Sequence, residues 1–221
     1  MKIKKIIRSN RKSIALQVCN DTSLIIRAPF HATDAYIEKV ILKHHQWLAK
    51  KQKEILLRQL KFPVKEFTEG ESFFFMGKEY VLRLVSKQRE PLVIRNNSFL
   101  LKENVTNPRV IFIGWYKKMA RITLPGRVAI FANQFGFGYH KVSITNAQKQ
   151  WGSCSHSGNL NFSWRLIMAP LRVIDYVIIH EMVHLDIKNH SKDFWKKVKD
   201  YLPEYKTHRE WLKKNTHLLR L

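Results

Sequence analysis

The chain has 221 residues, 45% of them hydrophobic, and carries 40 Lys+Arg against 17 Asp+Glu for a formal charge of +23. That is enough apolar matter for one substantial core or two small ones in a soluble globular protein, and no stretch approaches the length of a membrane span. The charged amino terminus, Met1-Lys2-Ile3-Lys4-Lys5-Ile6-Ile7-Arg8, is followed by no continuous apolar region, which excludes a secretory signal. The two cysteines, Cys19 and Cys154, make no disulfide framework, so a reduced, cytoplasmic location is expected.

Residues 2–7, 13–19 and 23–28 bunch or alternate β-branched residues between the turn formers Ser9-Asn10 and Asn20-Asp21, predicting three short strands. After Pro29, Tyr36, Ile37, Val40, Ile41, His44, Trp47, Leu48 and Ile55 mark one face of a long amphipathic helix over about 34–57, capped by Thr33 or Asp34. Segments 72–75, 80–86, 92–95 and 99–102, with turns at Gly77 and Asn96-Asn97, predict a small β-meander. Asn107-Pro108 opens a second helical stretch with Ile111, Trp115, Met119 and Ile122 in phase, and Leu124-Pro125-Gly126 predicts a kink or break in it. Beyond Gly136-Phe137-Gly138, a strand at 142–145 begins a further sheet. A strand pair comes next, 149–155 and 159–168, joined by the turn His156-Ser157-Gly158. The remainder reads as helical: one segment from Pro170, one over about 192–201 with Ser191 as N-cap and Asp193 in its first turn, and, after a stop at Pro203, a last near 205–215.

The decisive feature is His180-Glu181-Met182-Val183-His184, with His190 six residues further on. In a helix, positions i and i+4 share a face, so His180 and His184 can present two imidazoles to one metal ion with Glu181 beside them. Val173, Tyr176 and Val177 lie on the stripe that continues through both histidines, which supports the helical reading. A catalytic zinc needs three protein ligands and one open position, and His190 is the nearest third donor. Lys188, a cation in the last turn, and Asn189, tolerant of the left-handed conformation, suit a helix end from which the chain turns back to bring His190 in. Zinc lowers the pKa of bound water and polarises a carbonyl, and Glu181 is placed to take the water's proton and pass it to the leaving amine. One Zn2+ per chain and hydrolysis of a peptide bond are the expectation.

Other residues take supporting parts. Trp151, Gly152, Ser153 and Cys154 are candidates for substrate contact, because zinc peptidases hold substrate as an added strand along a sheet edge and Gly152 permits close backbone approach; the alternative is a hairpin that merely builds the core. A thiolate at Cys154 would fill the position catalysis needs open, so Cys154 is read as structural. Tyr201, Tyr205 and His208 are candidates for stabilising an oxyanion, with nothing in their spacing to choose among them. The basic clusters Lys2, Lys4, Lys5, Arg8, Arg11, Lys12 and Lys192, Lys196, Lys197, Lys199, Lys206, Arg209, Lys213, Lys214, Arg220 make nucleic acid a possible partner, the alternative being solvated faces.

Trp151-Gly152-Ser153-Cys154-Ser155, Gly158-Asn159-Leu160-Asn161-Phe162, Arg165-Leu166, Pro170, Ile174-Asp175-Tyr176-Val177, the His-Glu motif, Asn189-His190-Ser191, Phe194-Trp195 and Pro203-Glu204-Tyr205 together resemble the YgjP-like metallopeptidases, relatives of the SprT-like and WLM zinc peptidases. Ile25-Ile26-Arg27-Ala28-Pro29, Trp47-Leu48 and Gly77-Lys78-Glu79-Tyr80 resemble the family's leading segment more loosely. The His180, His184, His190 spacing equals that of metzincins, but Ile187 stands where those enzymes carry Gly and no methionine follows Met182. The resemblance implies an α+β chain with a zincin-like catalytic domain at 106–221, its active-site helix packed on a small antiparallel sheet, preceded by a β-rich region at 1–105. It implies a zinc peptidase acting on protein or peptide; a DNA-associated protease and a catalytically idle zinc-stabilised module are the alternative readings.

Overall fold

The structure, a computed structural model, describes residues 2–61 and 65–221, with side chains from 58 to 61 excepted; Met1, the first residue of the charged amino terminus, and 62–64 lie outside it. Two compact units divide the chain, Met1–Val64 and Lys65–Leu221.

In the first unit, β1 (Ile3–Ser9), β2 (Ala15–Val18) and β3 (Leu24–Pro29) form a sheet in the order β1-β3-β2, with β1 parallel and β2 antiparallel to β3. Leu24, Ile26 and Ala28 alternate along β3 into a small core with Ile37 and Leu48, as the period-two geometry of a strand requires. Helices α1 (Asp34–Lys43) and α2 (His45–Lys61) come after it, and Thr33 Oγ1 accepts the Tyr36 N–H at 3.2 Å as N-cap. The single long helix expected here is interrupted at His44, whose φ of −104° and ψ of 14° leave the α-helical region. Its N–H is shared between the carbonyls of Val40 and Ile41, both at 3.2 Å, while the His45 ring takes the Leu42 carbonyl at 2.9 Å. Apolar periodicity runs through such a one-residue tightening unchanged, which is why the break is invisible to it.

The second unit opens with β4 (Ser72–Phe75), β5 (Lys78–Val85), β6 (Leu92–Arg95) and β7 (Ser98–Lys102). Their order is β4-β5-β7-β6: two hairpins joined by parallel pairing of β5 with β7, not a meander. Asn96 and Asn97, at φ 49° and 57°, supply the left-handed pair a two-residue hairpin demands. Phe73, Leu82, Leu92, Phe99 and Leu101 from this sheet share one core with Phe112 and Tyr116 of α3 (Pro108–Phe135), the Phe73 and Phe112 ring centroids standing 4.3 Å apart. Burial of large apolar side chains stabilises by about 1.5–3 kcal/mol each, so the sheet is bound to α3 and the compact units divide near residue 64, not near 105.

Helix α3 is capped by Asn107 Oδ1, which accepts the Val110 N–H at 3.2 Å, and ends at Gly136 with φ 73°. It continues through Pro125 without the expected break. Its buried stripe is Phe112, Tyr116, Ala120, Leu124, Val128 and Ala132, one residue out of phase with the expected face, and Ile122 is exposed. The helix is apolar on more than one side: Ile111, Trp115 and Met119 are partly buried against the same core, at the margin of the stripe rather than along its centre.

β8 (Lys141–Thr145), β9 (Gly152–Cys154) and β10 (Asn159–Ser163) make the third sheet in the order β8-β10-β9. β9 and β10 are the expected strand pair, but β8 runs parallel to β10, so the sheet is mixed where an antiparallel one was expected. The expected second strand stops at Ser163, and Trp164–Met168 is a 3₁₀ turn with Trp164, Leu166, Ile167 and Met168 all buried. Helices α4 (Leu171–Asp186), α5 (Lys192–Tyr201) and α6 (Tyr205–Asn215) complete an α+β architecture.

The β4–β5 turn steadies the entrance to α4. Met76 N–H reaches the Ile167 carbonyl at 2.9 Å and Gly77 N–H the Met168 carbonyl at 3.1 Å. Gly77 has φ 77°, and a Cβ there would stand 2.6 Å from the Cα of Pro170, the N-cap residue of α4. Neither the left-handed backbone nor the contact tolerates a side chain. Gly77→Ala is expected to lower stability by about 2–4 kcal/mol, seen as a lower denaturant midpoint at unchanged slope.

Candidate metal centre

Ten side chains of α4 are buried, among them Val173, Ile174, Tyr176, Val177, Ile178 and Ile179 before the motif and Met182 and Val183 within it. Asp175, 2% exposed, holds the helix to α3 through a two-point pair with Arg127: Nε donates to Oδ1 at 2.9 Å and Nη2 lies 2.7 Å from Oδ2. So gripped, α4 turns His180 and His184 to one side.

The helix ends at Asp186. Ile187 is extended, its N–H still bonded to the Val183 carbonyl at 2.9 Å, and Lys188 Nζ donates to the Leu185 carbonyl at 3.1 Å, the C-terminal cation expected there. Asn189 is not in the left-handed conformation the sequence suggests; its Oδ1 instead accepts the Ser191 N–H at 3.3 Å in a side-chain turn. Ser191 Oγ caps α5 by accepting the Phe194 N–H at 3.3 Å. The result is a tight return that carries His190 back to α4.

There His190 Nε2 lies 3.1 Å from His180 Nε2 and 3.2 Å from His184 Nε2. Ligand nitrogens about 2.0–2.1 Å from a tetrahedral cation stand roughly 3.4 Å from one another, so this spacing suits a shared divalent ion. The donor chemistry fits too. His184 Nδ1 is engaged by the Ile187 carbonyl at 2.9 Å, which makes Nδ1 the protonated nitrogen and leaves the Nε2 lone pair free. Burial, with the neighbouring imidazoles, holds His180 down to about 3, and burial lowers His184 as well, so both rings are neutral. His180 Nδ1 is buried with no hydrogen-bond partner among the described residues. Phe194, fully buried, lies with its ring centroid 4.5–4.9 Å from those of all three imidazoles, and Trp195 stacks at 5.6 Å on His190.

Glu181 is 6% exposed, and burial pushes its carboxyl up to about 8. It faces Gly152 on β9, where a Cβ would come within 2.5 Å of Glu181 Cγ and 2.7 Å of its Oε1. The glycine therefore makes room for the carboxylate itself. Trp151 is half-buried against the core, its carbonyl accepting the Ser163 N–H at 2.9 Å, and Ser153 Oγ accepts the Asn161 Nδ2 at 3.3 Å. The Cys154 thiol donates to the Ser155 carbonyl at 3.4 Å, and burial raises its pKa, the condition of an unreactive cysteine. β9 is an edge strand, with β10 on one side and no strand on the other among the described residues.

A cavity of about 230 Å³ opens beside the motif, walled by Trp151, Gly152, Tyr176, Val177 and Leu212 and reaching His180, Glu181 and Arg209. None of the three residues raised for oxyanion stabilisation lines it. Tyr201 stacks on Phe135 at 4.3 Å, Tyr205 is buried and stacked on Trp195 at 5.4 Å, and His208 Nε2 is buried without a hydrogen-bond partner among the described residues. Arg209 is what sequence reasoning missed. It reads there only as one cation of a basic cluster, and no spacing rule separates it from its neighbours.

A family model described as the YgjP-like metallopeptidase domain matches residues 12–215. The chain belongs to the YgjP-like metallopeptidase family. As a YgjP-like metallopeptidase it takes a protein or peptide substrate and works with a metal, for which His180, His184 and His190 form a suitable donor group. Nothing in the match adds support for a nucleic-acid partner, and among the described residues no helix is long and apolar enough to cross a membrane. A crystal structure of the metallopeptidase zymogen of Pyrococcus abyssi abylysin is 21% identical, covering 44% of this chain and 97% of that one with a TM-score of 0.39, a likeness too distant to carry weight. No curated protein matches the chain.

Because the Gly152 contact sets where the Glu181 carboxylate stands, Gly152→Ala is expected to leave bound metal unchanged while cutting casein hydrolysis on the order of 10²-fold. Metal analysis beside a rate assay checks this.

Proposed function

We propose that the protein is a zinc endopeptidase in which His180, His184 and His190 hold one Zn2+ per chain and Glu181 is the general base. The convergence of three Nε2 atoms within 4.8 Å of one another, next to a buried carboxylate, supports this reading above all else. When bound, the cation supplies Lewis acidity at the scissile carbonyl and lowers the pKa of water nearby.

The chain's own groups do the rest. Glu181 takes a proton from the attacking water and returns it to the leaving amine nitrogen, one carboxylate serving both steps. Its burial bears on both tasks: a carboxyl pushed up to about 8 holds a proton more tightly than a free carboxylate does, so the carboxylate is a stronger base and its acid form is populated near neutral pH to donate. Phe194 and Trp195 pack against the imidazoles and keep water from their flanks. The substrate lies as an added strand along the free edge of β9, contacting Trp151, Gly152, Ser153 and Cys154, with Glu181 seated against that strand in the room Gly152 leaves. This is a zincin-like arrangement, with the active-site helix beneath an edge strand. Both cysteines are free, in keeping with the reducing conditions of the cytoplasm.

Zinc content of wild type and His180→Ala, with casein cleavage measured with and without chelator, tests the ligand set: wild type is expected to carry one zinc and cleave, the variant to do neither. Glu181→Gln is expected to keep its metal and lose about 10²–10⁴-fold in turnover; cleavage at the wild-type rate would remove Glu181 as the base.

A further inference from the structure

Arg209 and Tyr176 line the cavity next to the histidine cluster, and neither has been given a task. The Arg209 guanidinium carbon sits 4.6 Å above the Trp195 ring, and Trp195 in turn stacks on His190 at 5.6 Å with an interplanar angle of 24°. A stacked guanidinium is held in place on one face while its N–H groups remain free to donate in plane. Among the described residues Arg209 has no ion-pair partner, and no hydrogen bond is formed by either its guanidinium or the Tyr176 hydroxyl. Exposed Arg209 and buried Tyr176 thus line one cavity as donors with no protein acceptor among the described residues. The rest of its lining is apolar at Val177, Leu212 and Trp151, with His180 and Glu181 on the side of the motif.

The cavity, at about 230 Å³, falls below the roughly 300–1,000 Å³ of pockets that enclose drug-sized ligands and has room for one side chain. It adjoins Glu181 and His180, so a side chain filling it belongs to a residue beside the bond being cut. An apolar sleeve ending in a fixed, unpaired cation and a hydroxyl donor is complementary to a short aliphatic stem ending in a carboxylate. The net charge of +23 also draws acidic segments towards the molecule.

We infer that this cavity is a specificity pocket for an acidic side chain of the substrate, glutamate above all, with Arg209 as its counter-ion and Tyr176 as a second donor. The inference rests on the peptidase reading only in taking a peptide as the ligand. The Arg209 head group forms a paired, charge-assisted contact with the glutamate carboxylate, Val177 and Leu212 pack on the stem, and the substrate is thereby set in register over Glu181.

The test uses three peptides identical except for Glu, Gln or Lys at one position beside the scissile bond. Their binding to full-length, zinc-loaded Glu181→Gln protein is measured by titration calorimetry, alone and combined with Arg209→Glu or the milder Arg209→Gln. Cleavage by wild type is followed in parallel. Glu is expected to bind at least about tenfold more tightly than Gln; Arg209→Gln should abolish the difference and Arg209→Glu should reverse it in favour of Lys. Equal binding of Glu and Gln, or a Glu preference that survives Arg209→Glu, as it would if the carboxylate simply met the metal, overturns the inference. Indiscriminate cleavage of all three peptides would leave the peptidase reading standing without the pocket. An Arg209-dependent Glu preference without cleavage would keep the pocket and sink the peptidase.

Discussion

Packing around α4 fixes the rotation of that helix, and the chemistry of the molecule depends on the rotation. Val173 to Ile179 and Glu181 to Val183 are all buried, so the helix is enclosed on most of its circumference, while His180 and His184 are half-buried and meet His190. The pair of buried Asp175 with half-buried Arg127 adds orientation more than net stability, because taking the carboxylate out of water offsets much of their attraction. A helix set some tens of degrees differently would hide the imidazoles or scatter them. The 3₁₀ turn before Pro170, bonded to the β4–β5 turn at Met76 and Gly77, holds the other end of the same setting.

Desolvation ties the parts of the site to one another. The same burial that holds His180 below the usual imidazole range pushes Glu181 up, while His190, the third member of the donor group, is exposed. Phe194 packs against all three rings, and Gly152 makes the space into which Glu181 fits. Arg209, layered on Trp195, supplies charge of the opposite sense to a carboxylate ligand from the far side of the same aromatic stack.

The mixed pairings of the three sheets explain why local reading of strands went further than reading of topology. Each hairpin is announced by its own turn residues, as with Asn96-Asn97. The parallel unions of β1 with β3, β5 with β7 and β8 with β10 join segments without any turn between them, and no residue marks them. The same limit applies to α3, which passes through Pro125 and buries the line from Phe112 to Ala132: several of its faces are apolar, and only the neighbouring sheet selects one.

The i, i+4 pair of histidines, the return to His190, the caps at Thr33, Asn107 and Ser191 and the short strands were legible from composition and spacing, because each depends on residues within a few positions of one another. The break at His44, the attachment of β4–β7 to the second unit, the contact of Gly152 with Glu181 and the place of Arg209 beside the motif were not. These join residues tens of positions apart, or turn on a single backbone torsion. Their partners are chosen by how surfaces fit in three dimensions, a quantity that no periodicity along the chain encodes.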